Sequence, residues 1–390
     1  MAEELSRYER VQTAWNLEEA DRVPVVPTSV YFMKYVGGIN IKEGLTDPDK
    51  LIAAVKKNLD LVGDSIHPTN TALDHLALIP KSGWDMASID WRIWDEFPPE
   101  GNIPSSYFDR DFMGEYEEIL ENGFAQVIFN KEVNREVFDR SIEEFLYYEF
   151  EYPRVFAGAW KKFYEDTGIP LMQGARATVP FEYLQYYRSF DKFIVDLLEK
   201  PEQVKKMCEL IIEYELTRAM QRATIMGAGD IPGAEKIFLQ AGIVGPPYVS
   251  PDIFNEFVYP TIKQGVDMVV NRGFKIHIHI DGNLTSVLPT LAGITKGLPK
   301  GKVCLDFEKT DLKKAKEILG GKVCFAGSVP SALLVYGSVG EVETYCKEMI
   351  DACGPGGGYI LGNECETPWD SKPENVRAMV KSVEKFGQYG

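Results

Sequence analysis

The sequence has 390 residues and a formal net charge of −17, and 45% of its residues are hydrophobic. This apolar content supports a large folded core and excludes a disordered chain, while the negative charge disfavours nucleic acid and acidic membrane surfaces as partners. Neither a signal peptide nor an apolar run as long as a membrane span is recognisable, and the six cysteines are too sparse for a disulfide framework. We therefore expect a cytoplasmic protein with reduced thiols that acts on a small molecule.

Short apolar runs alternate with amphipathic helical stretches along the chain. Eight runs are candidate strands, at residues 23–26, 61–67, 170–174, 229–238, 274–280, 303–307, 323–326 and 359–361. Alternating strands and helices predict an α/β fold with a parallel sheet, and eight of them favour closure into a (β/α)8 TIM barrel. A doubly wound open sheet is the alternative. We expect one barrel domain that spans residues 1–390.

Residues 83 to about 168 interrupt this alternation and are rich in Trp and Tyr. Within this stretch, GFAQVIFN followed by NREVFDRS suggests a β-hairpin. We interpret the stretch as an insertion between the second and third strands. Such an insertion caps the C-terminal mouth of a barrel, which suits a lid or a docking surface. A small subdomain whose aromatic residues form its own core is an equally good interpretation.

The segment KIHIHIDGN contains half of the histidines of the chain. Successive side chains of a strand point to opposite faces, so its isoleucines face one way and His277, His279 and Asp281 face the other. Polar groups inside a sheet need a partner, because an unpaired one costs about 1–3 kcal/mol. His279 and Asp281, at the strand tip, are therefore candidate catalytic residues and metal ligands. His277 lies one pleat deeper and is expected to hydrogen-bond to a neighbouring strand or to a ligand.

Two further residues are expected at the same mouth. Cys365 follows the last predicted strand, and imidazole, carboxylate and thiolate are all good zinc donors. Because catalytic zinc typically has three protein ligands and an open position, we predict a site of His279, Asp281 and Cys365; a nucleophilic or inert cysteine is the alternative. Glu235 in IPGAEKIF is a candidate catalytic residue, a fourth ligand or a partner that orients an imidazole. It could equally cap a loop or pair with Arg176.

Four segments carry a resemblance to a known family: RYERVQTAWNLEEADRVPVVP, SPDIFNEFVYP, HIDGN and PGGGYILGNECETPWDSKPENVRAMV. They resemble the uroporphyrinogen decarboxylase superfamily, particularly its corrinoid-dependent methyltransferase branch. That branch binds zinc through a His-x-Cys pair and a later cysteine; here the pair is His279 and Asp281, and Cys365 matches the later cysteine. The decarboxylase branch has an arginine-rich N-terminal segment for porphyrin carboxylates, whereas VPTSVYFMKYVGG contains no arginine.

The resemblance implies that zinc either activates a thiol acceptor or polarises a methyl donor for attack by Co(I) of a corrinoid protein. Asp281 in place of cysteine gives a harder zinc ion that suits an oxygen ligand, so we expect a methoxylated donor such as an aryl methyl ether and an O-demethylase role. The corrinoid is expected on a separate partner protein, since no Asp-x-His-x-x-Gly segment occurs. Expected substrate contacts are Tyr31, Phe32, Phe181, Tyr187 and His277.

Three alternative functions stay open. One is the reverse order, in which a methylcorrinoid gives its methyl group to a thiol or a folate, and another is porphyrinogen decarboxylation, which needs no metal. The third is a non-catalytic binding barrel, which would leave the polar strand tip and Cys365 without a role.

Overall fold

A parallel sheet of six strands in chain order forms the centre of the fold in the computed structural model, which describes residues 4–29, 31–68, 114–133, 143 and 146–389. Nearly every residue of these strands is buried, which is typical of a parallel sheet covered on both faces. The strands are β1 Ala175–Thr178, β2 Lys236–Ala241, β3 Lys275–Ile280, β4 Val303–Phe307, β5 Cys324–Val329 and β6 Tyr359–Asn363.

Two shorter extended segments complete the sheet into a barrel. Val25 forms a parallel bridge with Leu361 of β6, and Ile66 forms one with Leu171, which lies just before β1. The two segments are joined to each other because the Asp64 N–H donates to the Val25 carbonyl at 2.6 Å. The six strands and these two segments therefore close into a ring of eight, which confirms the predicted (β/α)8 barrel rather than an open sheet.

Helices surround the barrel. Within the described part of the chain, no helix combines the length and the apolarity that crossing a membrane requires. Short 3₁₀ turns cover Leu59–Leu61 and Leu284–Val287, and π-helical turns cover Tyr147–Glu151 and Phe254–Val258. The α-helices are α1 Arg7–Trp15, α2 Phe32–Gly37, α3 Ile41–Thr46, α4 Pro48–Lys56, α5 Tyr116–Asn122, α6 Phe124–Val133, α7 Tyr152–Thr167, α8 Pro180–Tyr187, α9 Phe190–Glu199, α10 Pro201–Ile225, α11 Pro251–Ile253, α12 Tyr259–Asn271, α13 Leu288–Leu291, α14 Leu312–Leu319, α15 Ser331–Tyr336, α16 Val339–Cys353 and α17 Pro373–Phe386.

The core has two layers. The larger one lies between the strands and the helices and includes Ile276, Ile278 and Ile280, which are fully buried, as the alternation in β3 predicts. The smaller one includes Trp15 of α1 together with apolar residues on the inner face of the barrel. At the start of β2, Lys236 Nζ lies 5.1 Å from the Trp15 ring centroid, a cation–π contact that holds α1 against the N-terminal ends of the strands.

Two strands begin later than the sequence predicts. Residues 170–174 form only the isolated β-bridge at Leu171, and the strand of this part of the barrel, β1, begins after them at Ala175. Residues 229–235 are not a strand but a turn, and β2 begins at Lys236. The turn depends on Gly233, whose φ of 96° is unfavourable for a residue with a side chain.

The predicted insertion lies between the second barrel segment and β1. Its described parts are mainly the helices α5, α6 and α7. The prediction of a β-strand at residues 123–130 is wrong, because Phe124, Val127 and Ile128 are buried at helical spacing on one face of α6. The second half of the predicted hairpin and the tryptophan-rich stretch lie outside the described residues. A lid or docking role for this segment stays a prediction.

Candidate metal centre

The tip of β3 and the loop after β6 bring His279, Asp281 and Cys365 together. One ligand atom from each residue can be chosen so that all three lie within 4.8 Å of one another. His279 is only 3% exposed, whereas Asp281 and Cys365 are half-buried. The cluster therefore lies at the C-terminal mouth of the barrel with its imidazole buried and its other two groups partly accessible.

The two nitrogens of His279 have different surroundings. Its Nδ1 lies 2.9 Å from Asp306 Oδ2, which is a hydrogen bond to the neighbouring strand β4. Its Nε2 lies 2.9 Å from Asp281 Oδ1, which is the distance of an ion pair, although the angles at these two buried atoms do not meet those of a hydrogen bond. An imidazole nitrogen and a carboxylate oxygen at this separation also fit two ligands directed at a common cation.

Asp306 is an anionic group between two imidazoles. Its Oδ2 also lies 3.5 Å from His277 Nε2, so His277 faces the barrel interior as predicted. Burial would raise the pKa of Asp306, but His279 and His277 lower it to about 2. Burial would likewise lower the pKa of His279, but the neighbouring Cys365 and Asp306 raise it well above its ordinary value. The carboxylate of Asp306 thus fixes the His279 ring through Nδ1.

Cys365 is positioned by its own loop. The side chain of Asn363, 2% exposed at the end of β6, donates to the Cys365 carbonyl at 2.6 Å and accepts from the Thr28 N–H at 2.9 Å. The loop is therefore tied to the first barrel segment. Burial of its thiol raises the pKa of Cys365, and the adjacent His279 opposes that shift.

These donors fit zinc. An imidazole nitrogen, a carboxylate oxygen and a thiol sulfur around one tetrahedral zinc ion lie roughly 3–4 Å apart, which the observed cluster permits. The hydrogen bond from the ligand imidazole to a carboxylate, here Asp306, is the usual support of such a site. His279, Asp281 and Cys365 would hold the metal and leave a fourth position for another ligand.

Glu235 does not belong to this site, and its prediction as a ligand or catalytic residue is wrong. It precedes β2 and so lies at the N-terminal end of the barrel, opposite the mouth. Its carboxylate accepts from the Tyr8 hydroxyl at 3.0 Å and from Lys275 Nζ at 3.1 Å, and it also caps the turn at Gly233. It thus takes the structural role of a loop cap, with Lys275 rather than Arg176 as its ion-pair partner.

The expected aromatic contacts separate into different environments. The Tyr31 N–H donates to Glu366 Oε1 at 2.6 Å, which places Tyr31 beside the loop that carries Cys365. The prediction is wrong for Phe32, which is fully buried, and for Phe181, which packs on Phe193 with ring centroids 4.8 Å apart. Both face the apolar core because they lie on the inner sides of short amphipathic helices. The side chain of Tyr187 lies outside the described residues.

Several residues near the site were not predicted from the sequence. Asp306 could have been found as an acidic residue inside the apolar run VCLDF. Phe238 of β2 is stacked near His279 at 5.9 Å between ring centroids and lies 5.4 Å from the His277 ring. His67, whose ring is 5.9 Å from that of Phe238, has no distinctive spacing in the sequence and could not have been found.

Comparisons with known proteins define the family. A family model described as uroporphyrinogen decarboxylase (URO-D) matches residues 164–386, so this chain belongs to the URO-D family, as its sequence segments predict. A search of the curated proteins gives no significant match.

Solved structures extend the comparison of the fold. A methyltransferase from Methanosarcina mazei is similar with a TM-score of 0.66 and 18% identity, over 98% of this chain and 99% of that chain. This likeness concerns the fold alone. A B12-independent methionine synthase from Shewanella sp. W3-18-1 in complex with selenomethionine has a TM-score of only 0.40 and 13% identity, over 59% of this chain and 67% of that chain.

Proposed function

We propose that this protein is a zinc-dependent methyltransferase that moves a methyl group from a methoxylated donor, an aryl methyl ether, to Co(I) of a separate corrinoid protein. The observation that carries the proposal is the convergence of His279, Asp281 and Cys365 at the barrel mouth. Membership of the URO-D family and a full-length likeness in fold to a methyltransferase from Methanosarcina mazei support it. Porphyrinogen decarboxylation would leave this donor set without a role.

The side chains around the cluster define what the protein contributes. Asp306 accepts the Nδ1 proton of His279, which leaves the Nε2 lone pair available as a ligand. Asp281 replaces a softer sulfur donor and so favours an oxygen ligand in the open position. When bound, zinc would supply Lewis acidity that stabilises the negative charge developing on the departing oxygen. The methyl group would be transferred, formally as CH3+, to Co(I), which becomes methyl-Co(III). The aryl oxygen would depart as a phenolate.

Metal analysis by plasma mass spectrometry is the direct test of the site. We expect near-stoichiometric zinc in the wild type, little in His279→Ala and Cys365→Ala, and unchanged zinc in Cys208→Ala, which removes a buried thiol of α10. Asp306→Asn should weaken zinc binding about 10- to 100-fold in competition with a chromophoric chelator, because it loses the carboxylate that orients His279. A metal-free wild type purified without chelators would overturn the site.

A transfer assay tests the reaction itself. Purified protein is mixed with a Co(I) corrinoid protein and methoxylated aromatics, and methyl-Co(III) is followed by absorbance together with the released phenol. We expect both products in equal amounts with the wild type and neither with Cys365→Ala. Methyl loss from a methylcorrinoid to a thiol or folate, without any demethylation, would instead support transfer in the opposite direction.

A further inference from the structure

Three buried nitrogen donors near the metal centre lack an acceptor among the described residues. They are Lys34 Nζ of α2, His67 Nδ1 after the second barrel segment, and Arg176 Nε of β1. His67 Nε2 lies 2.9 Å from the Gln173 amide nitrogen and accepts from it, so Nδ1 carries the ring proton. A buried donor without an acceptor is destabilising, so three of them close together indicate a site for a ligand that supplies the acceptors.

Two of these donors, His67 and Arg176, come from separate parts of the chain but lie against one ring, that of Phe238. The Arg176 guanidinium carbon lies 5.8 Å from the Phe238 ring centroid, and the His67 ring lies 5.9 Å from it. The centroid of the His279 ring also lies 5.9 Å from the centroid of the Phe238 ring, which faces the inside of the barrel. Arg176 and the metal ligand His279 are therefore no more than about 12 Å apart. A benzene ring that carries an oxygen substituent at each end can bridge two groups within this limit.

Lys34, which lies in α2 after the first barrel segment, is close enough to His67 for its charge to act on that ring. It is 1% exposed, and its Nζ lies 5.1 Å from the centroid of the Tyr31 ring. Its stem passes over Gly44, where a Cβ would lie only 2.6 Å from Lys34 Cε. The neighbouring carboxylate is Glu366, which follows Cys365 and accepts the Tyr31 N–H at 2.6 Å.

The charge of this cluster selects its ligand. Arg176 carries a positive charge, Lys34 adds a second one in its protonated form, and Glu366 offsets one of the two. His67 adds a neutral donor, since burial and the nearby Arg176 and Lys34 lower its pKa to about 3. An excess of one positive charge and three donors without acceptors fit a singly charged group that only accepts hydrogen bonds.

We propose that Lys34, His67 and Arg176 form a carboxylate-binding subsite beside the metal centre, so that the methyl donor is a methoxylated aromatic carboxylate. The identity of the donor rests on the proposed function, whereas the subsite itself does not. The aromatic ring would pack over Phe238, with its carboxylate at Arg176 and its ether oxygen toward His279, Asp281 and Cys365.

Calorimetric titration with 4-methoxybenzoate, benzoate and the neutral 4-methoxybenzamide tests the subsite without turnover. We expect wild type to bind 4-methoxybenzoate about 10-fold or more tightly than the amide. Arg176→Gln and Lys34→Met should each lose most of this preference and leave amide binding within about 2-fold. Arg272→Gln, which changes an arginine at the exposed end of α12, is the control and should bind like the wild type.

Other outcomes separate this proposal from the proposed function. If wild type binds 4-methoxybenzoate and 4-methoxybenzamide equally tightly, the subsite is overturned, even if a neutral methoxyphenol still transfers its methyl group. Carboxylate preference that survives in Arg176→Gln but disappears in His279→Ala would place the carboxylate on the metal and also overturn it. Benzoate binding that depends on Arg176 and Lys34 supports the subsite, even if no donor methylates the corrinoid. If Arg176→Gln has a lowered melting temperature, the test rests on Lys34→Met and Arg176→Lys instead. Arg176→Lys should keep part of the preference for the carboxylate over the amide.

Discussion

At the scale of single residues, Lys34 shows how a binding group lowers stability. Burial lowers its pKa from the ordinary value of 10.5 to about 7, although the charge of Glu366 opposes the shift. Between pH 7 and about 10 the unfolded chain therefore holds a proton that the folded chain has released. Because the unfolded state binds more protons, the contribution of Lys34 to the free energy of unfolding rises with pH across this window.

The pH dependence of this contribution leads to a prediction for Lys34→Met. The apolar side chain has nearly the same length, so the variant should be more stable than wild type at pH 7 by about 1–3 kcal/mol. The difference should shrink as the pH approaches 10, because wild type then loses its penalty. Urea unfolding at pH 7 and pH 9.5 measures it, with the exposed Lys50→Met as control. A variant less stable than wild type at pH 7 would show that Lys34 has a stabilising partner.

At the scale of elements, one carboxylate joins the N-terminal segments to the barrel. Asp64, 1% exposed, accepts from Arg10 of α1 at 2.8 Å, from both terminal nitrogens of Arg22 at 2.9 Å, and from the Val25 N–H at 2.9 Å. These bonds hold α1 and the first barrel segment against the second segment. Two short segments with few ladder hydrogen bonds depend on such side-chain contacts.

Asp64→Asn should therefore be strongly destabilising. It leaves Arg22 without its buried anion and Arg10 with Asp21 alone, and breaking a buried pair costs about 3–5 kcal/mol. Asp60→Asn is the matched control, because Asp60 pairs with Arg377 on the surface and should change stability by less than about 1 kcal/mol. Denaturant unfolding measures both variants, and equal effects would contradict the assigned role of Asp64.

At the scale of the whole molecule, closure of the barrel depends on a close approach of backbone segments. A Cβ on Gly63 would lie 2.1 Å from the Val25 carbonyl oxygen, which also accepts the Asp64 N–H. A side chain there would force apart the two segments that complete the ring. The sheet would then open at the point where it has the fewest hydrogen bonds.

Gly63→Ala should accordingly lower the free energy of unfolding by about 3 kcal/mol or more. Gly158→Ala in α7 meets no atom within 4 Å and should instead raise stability by about 0.5–1 kcal/mol, because alanine favours a helix. Thermal unfolding followed by circular dichroism compares the two variants. A wild-type melting temperature for Gly63→Ala would mean that the two segments can separate without cost.

The sequence by itself determined the barrel and the centre of the candidate metal site. Alternating strands and helices have a regular period, and the polar and apolar faces of β3 follow from side-chain alternation within six residues. Cys365 could be placed at the same mouth because parallel strands all end on one side of a barrel. These inferences rely on local geometry, which the sequence reports directly.

Only the tertiary structure decided the rest. Glu235 lies at the N-terminal end of the barrel instead of the predicted mouth, because β2 begins only after the turn at Gly233. Composition marks such strand boundaries poorly. Phe32 and Phe181 entered the core because helix orientation, not residue type, decides which face an aromatic ring takes. Lys34, His67 and Arg176 lie more than thirty residues apart from one another in sequence, so their convergence depends on ring closure, which no local pattern encodes.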